Sequence, residues 1–425
     1  MRRTPRLLIV ILVIAALTGG TILAIKLAKG YRPSLKGKNL QGTGLLSANS
    51  VPKGATVFIN DKLTTATDDT QNLPPGEYKV KIAKDGYISW EKTLVLEPEL
   101  VTQTNARLFP SVPNLAPLTF SGATNLSPSP DGQKIAFIVS DATSDTKNGL
   151  YIIDLLDRPL SLKSDPRQIT RNSQKYNYLE AQITWSPDSS QIIASFNLNE
   201  TNEANLLLNS SNFNDLTDIK DISARLPVIL DEWNLELDKK QLERLHELPE
   251  FMQQISTASA DLIFFSPDED KLMYTATASA VIPEDLLPTL PASSTQLETR
   301  SIEPNHVYVY DLEEDRNFLV SQGSELLVSS EPTSEPSVLQ LLTRRYSAKS
   351  SQSIQWFPDS KHLIKISENK IDIIEYDNTN HQTVYAGPFE NSFAYPWPSG
   401  NRLVILASLN GGSNLPPNLY SIDLK

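Results

Sequence analysis

The first long apolar segment of the chain runs from Leu7 to Ile25, nineteen residues without a charge. As a helix it would be roughly 28 Å long at about 1.5 Å per residue, enough to cross a bilayer. Beyond it the pattern changes to short apolar runs broken by turn residues. Gly54-Ala55-Thr56-Val57-Phe58-Ile59 precedes the turn pair Asn60-Asp61, and Leu73-Pro74-Pro75-Gly76 marks a second turn. Tyr78, Val80 and Ile82 then alternate with Lys79 and Lys81, which predicts a half-buried antiparallel strand with one apolar face. Asp85-Gly86 leads into Tyr87-Ile88-Ser89-Trp90 and a strand at 93–96, so residues 41–110 read as a small all-β sandwich in which Tyr87 and Trp90 serve the core rather than a ligand.

From about residue 115 to 425 one phrase recurs five times: Ser129-Pro130-Asp131-Gly132, Ser186-Pro187-Asp188-Ser189, Ser266-Pro267-Asp268-Glu269, Phe357-Pro358-Asp359-Ser360 and Trp397-Pro398-Ser399-Gly400. Proline at the position whose φ it already fixes, followed by a short polar residue, is the signature of a type I turn. Apolar strands stand on both sides of each phrase. A third strand recurs at 150–155, 306–312, 371–377 and 419–424, and a weaker fourth at 167–170 and 340–343. Four strands per repeat describe a β-propeller blade. The last repeat is one strand short, and Pro117-Leu118-Thr119-Phe120, lying before the first repeat, is predicted to supply it and close a ring of five blades, or of six if the long insertions hide a degenerate one.

The first unit resembles the PEGA domain. Pro52-Lys53-Gly54-Ala55 stands where that family carries Pro-Glu-Gly-Ala, with Lys53 in place of the acid, and Pro75-Gly76-Glu77-Tyr78 and Lys84-Asp85-Gly86-Tyr87 look like the same family. The repeat phrase resembles the TolB-like, WD-repeat-like propellers. These resemblances imply a surface protein without assigned catalysis. The expected fold is therefore all-β: an N-terminal transmembrane helix, a PEGA-like sandwich, and a propeller with a helical insertion.

Charge refines this picture. Lys plus Arg total 38 against 50 Asp plus Glu. Residues 1–40 hold eight basic side chains and no acidic one, which leaves 30 basic against 50 acidic in the rest. So acidic a body argues against nucleic acid as a partner. The leader reads as a cytoplasmic tip, an anchor over 7–25 and a basic linker to residue 40, with the lipid bilayer as its partner and a cleaved signal peptide as the competing reading. The body is expected outside the cytoplasm, against the count of Lys26, Lys29, Arg32, Lys36 and Lys38 beyond the span. There is no cysteine, which excludes disulfides and thiolate metal sites.

Two insertions interrupt the repeats. In residues 222–256, Leu226, Leu230, Trp233 and Leu237 fall at helical spacing, as do Leu242, Leu245 and Leu248; Pro227 suits a first turn and Pro249 an interruption. Residues 278–304 are proline-rich and expected to be irregular. Both insertions are expected on one face, where they either dock a partner or cap an apolar rim. On that face Arg171, Tyr176 and Tyr178 in one inter-blade loop, Arg344, Arg345 and Tyr346 in another, and Trp233 of the helical insertion are the candidate binding residues, suited to a protein or a cell-envelope glycan by stacking and forked hydrogen bonds.

Catalytic signals are poor. The four histidines lie in separate repeats, so no metal is expected, and no cofactor motif is present. The last repeat is read as running to the end of the sequence, so a hydrolase domain beside the propeller is not expected. A propeller glycosidase is the one enzymatic alternative, with Glu180, Asp261 and Glu390 as carboxylates before inner strands. A membrane-tethered cytoplasmic scaffold is the other alternative. The expectation is a non-catalytic, membrane-anchored recognition protein.

Overall fold

The computed structural model describes residues 4–28, 31–33, 40–157, 165–199, 202–288, 296–323, 353–409 and 416–425. The chain divides into two compact units, Met1–Phe109 with Thr289–Leu297, and Pro110–Pro288 with Glu298–Lys425.

The first unit begins with helix α1, Thr4–Ala28. Its window Ile9–Lys26 is long and apolar enough to cross a membrane and has no protein packed over it. After it come two larger sheets, with two-stranded ladders beside them. Gly44–Ala48 lies between Val101–Gln103, paired parallel, and Asp69–Leu73, paired antiparallel. The second sheet is antiparallel, in the order Lys62–Ala66, Thr56–Ile59, Gly76–Ala83 and Trp90–Leu96. Asn60 and Asp61 both take positive φ, 49° and 61°, which matches the hairpin twist between the strands they join. Leu46 and Ala48 from one sheet meet Val57, Val80, Ile82, Trp90 and Leu94 from the other in a single core. Trp90 is fully buried and Tyr87 packs at the margin of that core, as the sequence pattern implies.

Five four-stranded antiparallel sheets are found among the described residues of the second unit, numbered here as blades 1 to 5. Their inner strands, each followed by the repeated turn, are Thr124–Pro128, Gln182–Trp185, Ala260–Phe265, Ile354–Trp356 and Ala394–Pro396. Blade 5 takes its fourth strand from the N-terminal side: Leu115–Pro117 pairs with Asn418–Asp423, three residues at a register of Leu115 to Ile422. The strand expected at 117–120 is therefore real but begins two residues earlier.

A second difference concerns blade 3. Its fourth strand is Arg316–Ser321, reached from Val307–Asp311 by a tight turn, and not the stretch 340–343, which lies outside the described residues. In blade 2 the fourth strand is only Lys220–Asp221. In blade 1, Gly149 opens the third strand at φ 148°, and a Cβ there would sit 2.2 Å from the Thr170 carbonyl oxygen, so the close approach of the fourth strand requires glycine.

The repeated phrase does the same thing in every blade. The fourth residue donates its N–H to the carbonyl of the first, at 2.9 Å for Gly132, Ser189 and Glu269, 3.2 Å for Ser360 and 2.7 Å for Gly400. That fourth residue is left-handed each time, with φ of 70°, 59°, 67°, 60° and 66°. The aspartates fold back on the turn: Asp131, Asp188, Asp268 and Asp359 accept the N–H two residues on, at 3.0 to 3.2 Å.

The helical insertion forms α2, Leu226–His246, with Pro227 in its first turn, and α3, Glu250–Ala258, separated at Pro249 as the sequence predicts. α2 starts just after the last strand of blade 2, while Arg244 near its other end reaches Glu269 in the turn of blade 3 at 2.5 Å. The helix thus reaches from the last strand of blade 2 to the turn of blade 3, and Leu245, Leu248, Met252 and Ile255 of this insertion share one core with Ile282 and Ile302 of the second insertion. Of that second insertion, Ala280–Val281 and Ser301–Ile302 pair as a short ladder.

Candidate functional site

The packing between blades decides which surfaces remain available. At the joint of blades 1 and 2, Asp131 donates its N–H to the Ser189 hydroxyl at 3.1 Å and Trp185 donates its indole N–H to the Ser127 carbonyl at 3.0 Å. The joint of blades 3 and 4 repeats both contacts, Asp268 N–H to Ser360 Oγ at 3.0 Å and Trp356 Nε1 to the Phe264 carbonyl at 3.0 Å. Serine in the left-handed position therefore has a task that the glycines of the other turns cannot perform.

Charges reinforce the same end of the blades. The first residue of each second strand stands opposite the end of the third: Lys134 faces Asp154, Lys271 faces Asp311, His362 faces Glu375 and Arg402 faces Asp423, while blade 2 has Gln191 and Asn209. The Lys271 and Asp311 pair is buried at 3.5 Å, with the ammonium 5.0 Å from the ring centre of Tyr376 in the next blade. Burial pushes the Tyr376 hydroxyl well above its ordinary value, and the adjacent Asp311 carboxylate adds to this. At Asp188 the Ser186 hydroxyl holds the carboxyl below its usual range; at Asp268 burial works the other way but the Ser266 hydroxyl and nearby N–H donors prevail.

The candidate residues in the loop after blade 1 have intramolecular partners. Arg171 lies 5.1 Å from the ring of Phe213, which a loop of blade 2 brings to the outer edge of blade 1. Tyr176 is half-buried against Phe196, 5.2 Å between ring centres, and the Lys175 ammonium stands 4.9 Å from its ring. Tyr178 is 0% exposed, edge-on to Phe196, with its hydroxyl on Thr170 at 3.4 Å. Burial pushes that hydroxyl up to about 12. Tyr178 is thus a core residue and not a binding one: the Arg and Tyr pattern in the sequence could not reveal Phe196 on a strand of blade 2 or Phe213 in its loop. Trp233 is half-buried and packs against Ile193, Ile222 and Leu230. Arg344, Arg345 and Tyr346 lie outside the described residues.

The three residues of the glycosidase alternative are all exposed, and the carboxylates of Glu180 and Asp261 are locally engaged. Glu180 accepts from Asn177 at 2.9 Å, Asp261 accepts the N–H of Leu262 at 2.8 Å, and Glu390 donates its own N–H to the Leu406 carbonyl at 2.7 Å. Among the described residues no three His, Asp or Glu side chains gather so as to hold a metal ion.

α2 has two apolar stripes. One is used within the fold: Leu230 and half-buried Leu226, Ile229 and Trp233 pack on blade 2, while Leu245, with Leu248, Met252 and Ile255 beyond it, packs on blade 3. The helix therefore bridges the joint of blades 2 and 3. The other stripe points away from the blades. Val228, Leu235 and Leu242 are 55%, 73% and 55% exposed, and their seven-residue spacing keeps them on one line down the helix. Leu242, grouped in the sequence with the buried Leu245 and Leu248, belongs to this outward line instead. Charged residues flank it, with Lys240 on Glu236 at 2.8 Å and Lys239 on Glu243 at 3.9 Å. The interval of seven between Val228, Leu235 and Leu242 was visible in the sequence; which stripe the blades would cover was not.

Residues 43–111 match the PEGA domain, so the first folded unit carries that domain. No curated protein matches the chain. Solved structures similar to it include a putative TolB from Agrobacterium tumefaciens, at 12% identity and a TM-score of 0.22, covering 71% of this chain and 78% of that one. TolB from Acinetobacter baumannii is similar at 12% identity and a TM-score of 0.23, covering 82% of this chain and 60% of that one. The WD40 repeats of RRP9 are similar at 10% identity and a TM-score of 0.29, covering 73% and 98%. The propeller architecture rests on the blades themselves, with their common turn and the terminal strand pairing.

Proposed function

We propose that this chain is a non-catalytic recognition protein, held to a membrane by α1 with its body outside the cytoplasm, and that it binds a protein partner along the outward stripe of α2. The observation that carries the reading is the line Val228, Leu235 and Leu242. A helix that already buries one stripe on its own domain gains nothing in folding from a second, opposite one, and aligned exposed aliphatic side chains suit a partner of the same kind. A protein is favoured over an envelope glycan because the described aromatic candidates, Tyr176, Tyr178 and Trp233, are engaged in the fold. The PEGA domain in the first unit supports an envelope-associated role.

The test is affinity capture of the full chain from its native membranes, with wild type beside the triple variant V228S/L235S/L242S. Wild type is expected to bring down a defined protein that the variant loses, with the melting temperature unchanged. Recovery of the same protein by the variant would overturn the assignment of the binding surface.

A further inference from the structure

Blades that meet directly share one apolar core. Ile138 and Ile152 of blade 1 lie with Ile192 and Ala194 of blade 2, and Met273 and Val309 of blade 3 lie with Leu363 and Ile374 of blade 4. Side chains alternate along a strand, so Ile193 of blade 2 and Leu272 and Tyr274 of blade 3 face the opposite way. Those opposite faces share no core with each other among the described residues. Ile193 and Leu207 meet Leu226 and Leu230 of α2, whereas Leu272 and Tyr274 meet Leu245 of α2 and Met252 and Ile255 of α3. Blades 2 and 3 are joined through the insertion, and its two seats are unequal.

The seat on blade 3 is extensive and its polar groups are paired. Tyr274 donates to Asn317 at 3.0 Å, Tyr310 donates to Asp315 at 2.7 Å, and the Tyr308 hydroxyl accepts the Glu303 N–H at 2.9 Å. Arg244 reaches Glu269 at 2.5 Å, and Thr277 donates its N–H to the Ser259 carbonyl just after α3 at 2.8 Å. On blade 2 only Ile193, Ile222 and Leu230 are fully buried in the seat. Beside them the same face is polar: Ser195 donates to Asn205 at 2.6 Å, and Asn205 donates its N–H to Ser223 at 2.9 Å. Thr184, paired across the sheet with Ile193, has a buried hydroxyl without a hydrogen-bond partner. Water would satisfy that hydroxyl, so separation of α2 from blade 2 recovers free energy there, while few apolar contacts are lost. We infer that the insertion is a one-sided latch, fixed to blade 3 and only seated on blade 2, so that the ring opens reversibly between α2 and blade 2 while α2 and α3 stay with blade 3. The release point lies on the helix that carries the outward stripe and exists whatever that stripe binds.

The chain has no cysteine, so a single introduced thiol reports opening. Ile193→Cys, Ile152→Cys and Leu272→Cys place it at three positions that are each 0% exposed: under α2 on blade 2, in the joint of blades 1 and 2, and under the insertion on blade 3. Each full-length variant, in detergent under native conditions, is exposed to iodoacetamide and the alkylated fraction is followed by intact mass. Labelling at 193 is expected to be about tenfold or more faster than at 152 and at 272. Adding Thr184→Val, which removes the unpaired hydroxyl, is expected to slow labelling at 193 by about tenfold and to leave the rate at 152 unchanged. A rate at 193 that does not exceed both others would overturn the latch. Should Ile193→Cys fail to fold, Thr184→Cys, at a position 7% exposed on the same face, gives the same comparison.

Discussion

Two kinds of joint hold neighbouring blades together, and they differ in origin. The joints of blades 1 with 2 and 3 with 4 are made by the repeat itself, through the same serine hydroxyl and the same tryptophan N–H in both places. The joint of blades 2 and 3 is covered by an inserted helix that no other blade possesses among the described residues, with Leu230 on one side and Leu245 on the other. The first kind closes on its own hydrogen bonds, with Ser189, Ser360 and Trp185 buried. The second leaves a whole apolar line facing out, and this contrast is why the helix rather than the turns is assigned to recognition.

The strongest way to break the repeat-encoded joint is to remove one member of its buried ion pair. Asp311→Ala removes the carboxylate 3.5 Å from the buried Lys271 ammonium, beside the Tyr376 ring, and is expected to destabilise the second unit by about 3–5 kcal/mol in denaturant unfolding. Leu230→Ala at the helix joint should cost about 2 kcal/mol, the low end for a buried leucine because its cluster is small and at the rim. If Leu230→Ala proved as costly as Asp311→Ala, the helix would be part of the core rather than a bridge laid over it. Ser360→Ala should cost about 1 kcal/mol by leaving the Asp268 N–H without its acceptor, whereas Gly400→Ala would act through backbone strain alone.

Acid provides a finer probe of the turns. Asp188 and Asp268 have carboxyls held below their unfolded value, so the stability they contribute is present above the unfolded pKa of about 3.9 and is lost as pH falls through the lower folded value. Melting temperature measured from pH 5 downward should therefore drop on the acid side, and the double variant D188N/D268N should flatten part of that drop. The smallest effect belongs to the outward stripe: Val228→Ser, Leu235→Ser and Leu242→Ser should each shift stability by no more than about 0.5 kcal/mol.

Much of this was readable in the sequence wherever local chemistry dictates the backbone. A proline with fixed φ followed by an aspartate, or by Ser399 in the fifth phrase, makes the same turn each time, so five phrases located five inner hairpins. The fourth strand of blade 3 escaped because the stretch 340–343 copies the wording of Arg167–Thr170, whereas Arg316–Ser321 is announced only by the Glu313-Glu314-Asp315 turn, in which Asp315 takes φ 50°. Long-range partners escaped for a different reason. Arg171 and Tyr176 look like ligand groups until a loop and a strand of blade 2 bring Phe213 and Phe196 to them. A helix with apolar residues on two sides likewise does not declare which side its domain will take.

The outward stripe is tested most directly in living cells by a photo-reactive amino acid placed at Leu235, with Phe120, 79% exposed on the same unit, as the control position. The account predicts a discrete cross-linked protein adduct from position 235 and none from position 120. Absence of an adduct at 235, or the same adduct from both positions, would contradict it.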